Sequence, residues 1–380
     1  MLPLKSRIFS ALLILMLVIT GCSTPQTKTP NPTSTIQTTA TNKTTTTTTA
    51  QTITTTATPP TTTIPTATND TAATGMATVF PTTVYMPGAA PYEPTGIELE
   101  LFQYALSLIN NDRQSAGLPP VTLAYNAAAQ KHAQDMFDNY FGSHWGTDGL
   151  KPYMRYTQAG GLNNDGENSA YSGWDNPSDN PNNYQSINVR EEIAYLQHKM
   201  MYDDAASNWG HRDTILNKFY TRVSLGIVYD NKRLALVQQF EGKYVEYYSA
   251  PAISNGNLSL LGRLTSVDIK INNISISYDP PLQTLTNTQL TSDSTYTDGY
   301  GLGDRLNFVI PPPPAGQQYA NLPPNAIIAG KWEINDSGQF AIQANINASL
   351  SKGKGVYTIV IVAMINGESV NLTNYSIVIE

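Results

Sequence analysis

The chain has 380 residues and a single cysteine, Cys22. No intramolecular disulfide framework can form, so any folded region must be held by its core alone. Domains of about 150 residues bury enough surface to manage this. Charge is sparse as well, with 13% charged residues and a formal net charge of −7. That acidic excess leaves no basic footprint for nucleic acid. The one long apolar run, Ile8 to Thr20, has 13 residues, well short of the roughly 20 that a spanning helix needs. There is no Gly-x-Ser-x-Gly elbow and no His-Glu-x-x-His helix, so two common hydrolase signatures are missing. From about residue 257 onward the chain has neither histidine nor cysteine, and metal or thiol chemistry is not expected there.

What is present divides the chain. Lys5 and Arg7 precede the apolar run, which ends in Val18-Ile19-Thr20-Gly21-Cys22. This reads as an export signal over 1–22. Its end resembles the bacterial lipobox, in which the cysteine is lipidated, and lipidation at Cys22 implies an extracytoplasmic protein anchored to the membrane without spanning it. Residues 23–92 are rich in Thr and Pro, and between Ser23 and Phe80 carry only Lys28, Lys43 and Asp70 as charges. Such a composition cannot bury enough apolar surface to fold. A disordered stalk of about 70 residues spans roughly 45 Å on average.

The first folded domain is expected over 93–250. Leu99, Phe102, Leu106 and Ile109 fall at helical spacing, and Ala129, His132, Ala133 and Met136 mark the buried face of a second helix from Asn126 to Tyr140. A third helix is expected from Val189 to about Asp204, and a short one from Asp213. Residues 142–166 and 175–188 read as loops. Val223, Leu225, Ile227 and Tyr229 then alternate, turn at Asp230 to Arg233, and alternate again from Leu234, which is a hairpin. Helices followed by strands indicate α+β layering.

Residues 257–380 read as an all-β sandwich without helices. Turns are expected at Asn272-Asn273, Asp336-Ser337-Gly338 and Asn366-Gly367, a final strand at Tyr375 to Ile379, and a stiff polyproline joint at Pro311 to Pro314.

Within the first domain, three glycine-flanked polar clusters stand out: Gly142-Ser143-His144-Trp145, Gly166-Glu167-Asn168 and Gly210-His211-Arg212-Asp213. They suggest loops converging on a rigid scaffold. With Leu108-Ile109-Asn110-Asn111-Asp112-Arg113, Ala128 to Met136, Leu225-Gly226-Ile227 and Val237-Gln238-Gln239-Phe240, they form an ordered set over about 97–248. The set resembles the CAP superfamily of cysteine-rich secretory, antigen-5 and pathogenesis-related proteins. The resemblance implies an α-β-α sandwich with a cleft carrying two histidines and two carboxylates. His144, His211 and Glu167 carry over directly. Asp203 is the best match for the fourth group and Asp204 the next, although the family has a glutamate after a helix Trp. The approach Ser207-Asn208-Trp209-Gly210-His211 is also one residue longer than the usual Ser-Pro-Gly-His.

Imidazoles and carboxylates converging in a cleft suit a borderline divalent cation, Zn²⁺ first. The leading expectation is a binding module for a lipid, peptide or cell-wall ligand at the cell surface. The alternatives are a metal-dependent hydrolase with Glu167 as base, and a structural adhesion protein working through its C-terminal domain. His132, beside alanines, and His198, beside Lys199, are read as structural, and Arg212 as a loop anchor.

Overall fold

The computed structural model describes Phe80, Pro81, Thr83, Tyr85, 92–173, 186–297 and 299–380. The export signal, Cys22, nearly all of the Thr/Pro-rich stretch and most of the 175–188 loop lie outside these residues.

Helix α1 (Gly96–Ser115) buries Leu101, Phe102, Ala105 and Ile109 on one stripe and ends at Gly117, whose φ of +74° a side chain would resist. After the two-residue strand β1 (Thr122–Leu123) comes α2 (Ala128–Asn139), closed by Tyr140 in the left-handed region. Helix α3 (Pro152–Gln158) has proline at its first position, where no amide is needed. It lies inside the stretch that composition marks as loop. Strand β2 (Asn164–Gly173) follows, so Glu167 sits on a strand and not in a loop. Helix α4 (Val189–Tyr202) is capped by Asn188, whose side chain accepts from the amides of Arg190 and Glu191. Helix α5 (Gly210–Ile215) begins three residues earlier than expected and contains His211.

Strands β3 (Arg222–Tyr229) and β4 (Arg233–Gly242) form the expected hairpin, its turn fixed by Asp230 accepting from the amides of Lys232 and Arg233. The first sheet runs β1-β3-β4-β2. Along β4 the period of two divides the apolar side chains. Leu234, Leu236 and Phe240 join the cluster built from α1 and α4, while Ala235 and Val237 join Ala129, Ala133 and Met136 of α2. Both faces of the strand are therefore covered by helices. Small residues let α2 come close: a Cβ on Gly226 would lie 2.1 Å from the Ala129 carbonyl oxygen.

Only two residues separate β4 from β5 (Val245–Tyr247). The remaining strands are β6 (Ala252–Ser254), β7 (Asn257–Leu264), β8 (Lys270–Asp279), β9 (Asp304–Ile310), β10 (Ala326–Ile328), β11 (Lys331–Ile334), β12 (Gln339–Asn345), β13 (Gly355–Ile365), β14 (Glu368–Asn371) and β15 (Tyr375–Ile379). One sheet runs β11-β12-β7-β5 with β6 on β7, and the other runs β10-β9-β8-β13-β14 with β15 on β13. They share one apolar cluster, with Leu258, Leu260 and Phe340 from the first and Ile274, Ile276 and Ile359 from the second.

Two expectations for this part need correction. Asn272-Asn273 is not a turn: β8 runs through it, and the pairing with β13 skips Asn272, which makes a bulge. Nor is the region free of helix. Helices α6 (Asn287–Ser292) and α7 (Ser294–Thr297) interrupt it, and α6 opens on a capping box between Thr286 and Gln289. The segment carrying them packs onto the first part: Leu285 and Leu290 join the α2 cluster, and the Leu285 amide donates to the Thr147 carbonyl at 2.8 Å. Thr74–Glu380 form one compact unit.

Arg113 ties the helical layer to the sheet. It is 1% exposed, and its guanidinium donates to the carbonyls of Pro119, Ile215, Asn217 and Tyr220. Arg113→Met keeps the bulk and strands four acceptors. At about 1–3 kcal/mol for an unsatisfied buried group, unfolding in urea is expected to show a loss of at least about 3 kcal/mol. A loss below about 1 kcal/mol would mean that the carbonyls find other donors.

Candidate functional site

Glu167 is the centre of the site. Its side chain has no exposed surface. One carboxylate oxygen faces His144 Nδ1 at 3.0 Å, and the other accepts from Arg155 Nη2 at 2.9 Å. Burial is the largest single influence and pushes this carboxyl up, but the charges of Arg155, His132 and His144 and the His144 hydrogen bond together outweigh it, Arg155 contributing most, and the group settles at about 2. Glu167 is therefore a fixed anion at neutral pH.

Arg155 also shapes the loop that carries His144. It donates to the His144 carbonyl at 2.9 Å and to the Leu150 carbonyl at 2.6 Å. His132 fixes the same loop from α2, its Nε2 lying 2.9 Å from the Ser143 carbonyl. Because a carbonyl only accepts, Nε2 carries the proton, and Nδ1 has no partner. Burial first, then the Arg155 charge, push this imidazole down to about 3.

The second histidine is built from a different carboxylate. Asp204 Oδ1 meets His211 Nδ1 at 2.6 Å, and Oδ2 accepts from the amides of His211 and Arg212 at 2.9 and 3.1 Å. Asp204 thus caps the start of α5 and orients the ring in one act. The residue inserted before Gly210 is absorbed by two successive left-handed residues, Asn208 and Trp209. From β2, Asn168 Nδ2 holds the His211 carbonyl at 3.0 Å.

Asp203 does not join this group. It is exposed, and Lys199 holds it at 2.9 Å and lowers its carboxyl below the usual range. Helix α4 ends at Tyr202 and Asp203 leaves helical geometry (φ −117°, ψ 28°), so Asp204, which opens a short 3-10 helix, takes the buried position. His198 is exposed beside Tyr202, and Arg212 lies over the Trp209 ring at 5.3 Å.

The rings of His144 and His211 stack with centroids 6.2 Å apart. Each Nδ1 is taken by a carboxylate, which leaves each Nε2 for a ligand. Histidine ligands of metals are commonly oriented in this way from behind. The carboxylates of Glu167 and Asp204 orient the two rings. Among the described residues, no three His, Cys, Asp or Glu side chains gather so as to hold a metal ion. Two imidazoles supply half of a zinc coordination shell.

Sequence reasoning passed over Arg155, a lone cation in an aromatic run, and Tyr300. The Tyr300 hydroxyl accepts from the Glu167 amide at 3.0 Å and its ring lies 4.9 Å from that of His144. Nearby, Lys151 Nζ and the Tyr153 hydroxyl both donate to Asp279, each at 2.7 Å.

Residues 106–240 match the model of the cysteine-rich secretory protein family, CAP. The chain carries a CAP domain. Two solved structures are similar over part of it. An outer surface protein from Borrelia burgdorferi is 14% identical with a TM-score of 0.28, and the match covers 38% of this chain and 94% of that one. The CAP domain of enterococcal PrgA is 18% identical with a TM-score of 0.27, covering 40% of this chain and 64% of that one. No curated protein matches the chain.

The domain has an acid dependence that follows from His132. Its folded value of about 3 lies below the ordinary 6.5, so between these limits the unfolded chain binds a proton that the folded chain refuses. This stabilisation is complete above pH 6.5 and is lost as pH falls towards 3, at about 1.4 kcal/mol per pH unit. Glu167, lowered from 4.5 to about 2, adds a loss between pH 4.5 and 2. Unfolding free energies measured from pH 7 to 4 should show the His132 slope, and His132→Gln should remove it. An unchanged slope in that variant would assign the acid sensitivity to other groups.

Proposed function

We propose that this chain is an extracytoplasmic CAP-domain binding module, an α-β-α sandwich followed by a β-sandwich, whose cleft histidines hold a ligand together with a divalent cation. The observation that carries the reading is the pair of stacked imidazoles, each with Nδ1 fixed by a buried carboxylate and Nε2 left over. Neutral imidazole nitrogens oriented in this way suit zinc. His144 and His211 supply two positions, and the remaining positions fall to water or to donor atoms of the ligand. The cation is thus shared with the ligand rather than resident. A cell-surface, lipidic, peptide or wall ligand fits a protein held outside the membrane.

A hydrolase that uses Glu167 as general base is the weaker reading. A base must reach the proton it takes, and both oxygens of Glu167 are committed on a side chain that has no exposed surface.

Calorimetric titration of zinc into the full chain and into a His144→Ala/His211→Ala variant tests the cation. Heat from the wild type and none from the variant is expected, and equal heats would remove the cation from the reading.

We also propose lipid anchoring through Cys22, which rests on the apolar run and the Ile19-Thr20-Gly21-Cys22 ending. No helix among the described residues is long and apolar enough to cross a membrane. Expressed in a bacterium, the wild type should partition with membranes, and Cys22→Ser should be released or left unprocessed. Recovery of the wild type as a soluble, unlipidated chain would sink the anchor.

A further inference from the structure

A cavity of about 440 Å³ opens where the CAP sheet meets the C-terminal strands. It is walled by the start of β2, the loop after α5, Tyr300 and the end of β14. Its size falls within the roughly 300–1,000 Å³ of small-molecule sites. Two polar side chains in its wall are more than nine-tenths buried: Asp165, 7% exposed, and Asn374, 4% exposed. The Oδ1 atom of each has no hydrogen-bond partner. Burial pushes the Asp165 carboxyl well above the usual carboxylate range, so this oxygen can carry a proton and donate, whereas the Asn374 oxygen accepts. Buried polar atoms left unpaired cost free energy, and a ligand that both donates and accepts relieves both.

The lining decides what kind of donor. No lysine or arginine is in it, and Asp165 is its one carboxyl, already accepting from the Gln239 side chain. An anion finds no counter-charge there. A divalent cation of the calcium type wants six or more oxygen ligands, several of them carboxylates, and one carboxyl falls far short. What the wall does offer is side-chain amides at Asn371 and Asn374 together with the rings and hydroxyls of Tyr220 and Tyr300. Amides give donors and acceptors side by side, and aromatic faces offer flat apolar area next to a polar tip. Across the junction, Lys218 and Glu368, each adjacent in sequence to a lining residue, pair at 2.6 Å. That pair ties together the two segments that form this wall and leaves no net charge beside it.

We propose that this cavity is a second binding site, and that it takes a neutral, hydroxyl-rich small molecule of the sugar class. Hydroxyl groups donate to Asn374 Oδ1 and accept from the Asp165 carboxyl and the amides, while the ring's carbon face lies against tyrosine. The site needs both parts of the chain and does not involve the cleft imidazoles.

Saturation-transfer NMR and calorimetry of the full chain with glucose, galactose and N-acetylglucosamine test it. At least one sugar should show saturation transfer. Asn374→Ala removes an interior contact. To guard against loss of fold in that variant, Asn371→Trp, on an exposed strand end, closes the cavity without touching the interior. Both should weaken binding about tenfold or more, and Asn371→Trp should keep the wild-type unfolding transition. His144→Ala/His211→Ala should change sugar affinity less than about twofold, so the outcome here is separate from that of the zinc experiment. Absence of transfer from all three sugars, wild-type affinity in a folded Asn371→Trp variant, or equal binding of acetate or calcium would overturn the proposal.

Discussion

A carboxylate with no exposed surface has to be compensated, because a buried ion left unpaired costs several kcal/mol. Glu167 sets that constraint here, and much of the surrounding chain answers it. The Arg155 guanidinium meets one oxygen and His144 the other. To reach Glu167, Arg155 must sit on α3 directly beneath the His144 loop, and the same guanidinium then fixes that loop through the His144 and Leu150 carbonyls. The position of His144 is thus a by-product of neutralising Glu167. Asp204 and His211 repeat the logic on the other side, where a carboxylate that caps a helix also aims an imidazole. Side chains held in this way are ordered in advance, and such preorganisation lowers the ordering cost of any binding proposed for them.

The parts of this fold legible in the sequence are those with a local cause. The stripes of α1 and α2, the Asp230 turn, the Asn366-Gly367 hairpin and the last strand all follow from periodicity or turn chemistry within a few residues. His144, Glu167 and His211 are legible through the order of short motifs, and the structure brings them side by side. What stays hidden depends on distant contacts. Strand β2 is mostly polar, and its pairing with β4 rather than its composition makes it a strand. The bulge at Asn272 looks like a turn because two asparagines usually mean one, yet long pairing on both sides overrides that preference. The choice between Asp203 and Asp204 turns on where the chain breaks after α4, which a sequence match cannot resolve across an altered loop.

The C-terminal part is more than a neighbour of the CAP domain. Asp279 receives Lys151 and Tyr153, Leu285 and Leu290 fill out the α2 cluster, and Tyr300 reaches the Glu167 amide. These contacts come from the end of β8 and the connection that joins it to β9. A residue 133 positions away in sequence supplies the hydrogen-bond acceptor for the strand on which the central carboxylate stands. No motif within the CAP segment could announce it.

That single hydroxyl bears on how such a chain can be rearranged over time. Extracellular domains are often exchanged as separate units, and exchange is harmless when each unit closes its own surfaces. Here a recombination event that cut between β4 and β5 would leave Glu167 with an amide short of its acceptor and His144 with an uncovered ring face. The two parts must therefore be inherited together, and a substitution at Tyr300 is selected in one part for what it does to the other.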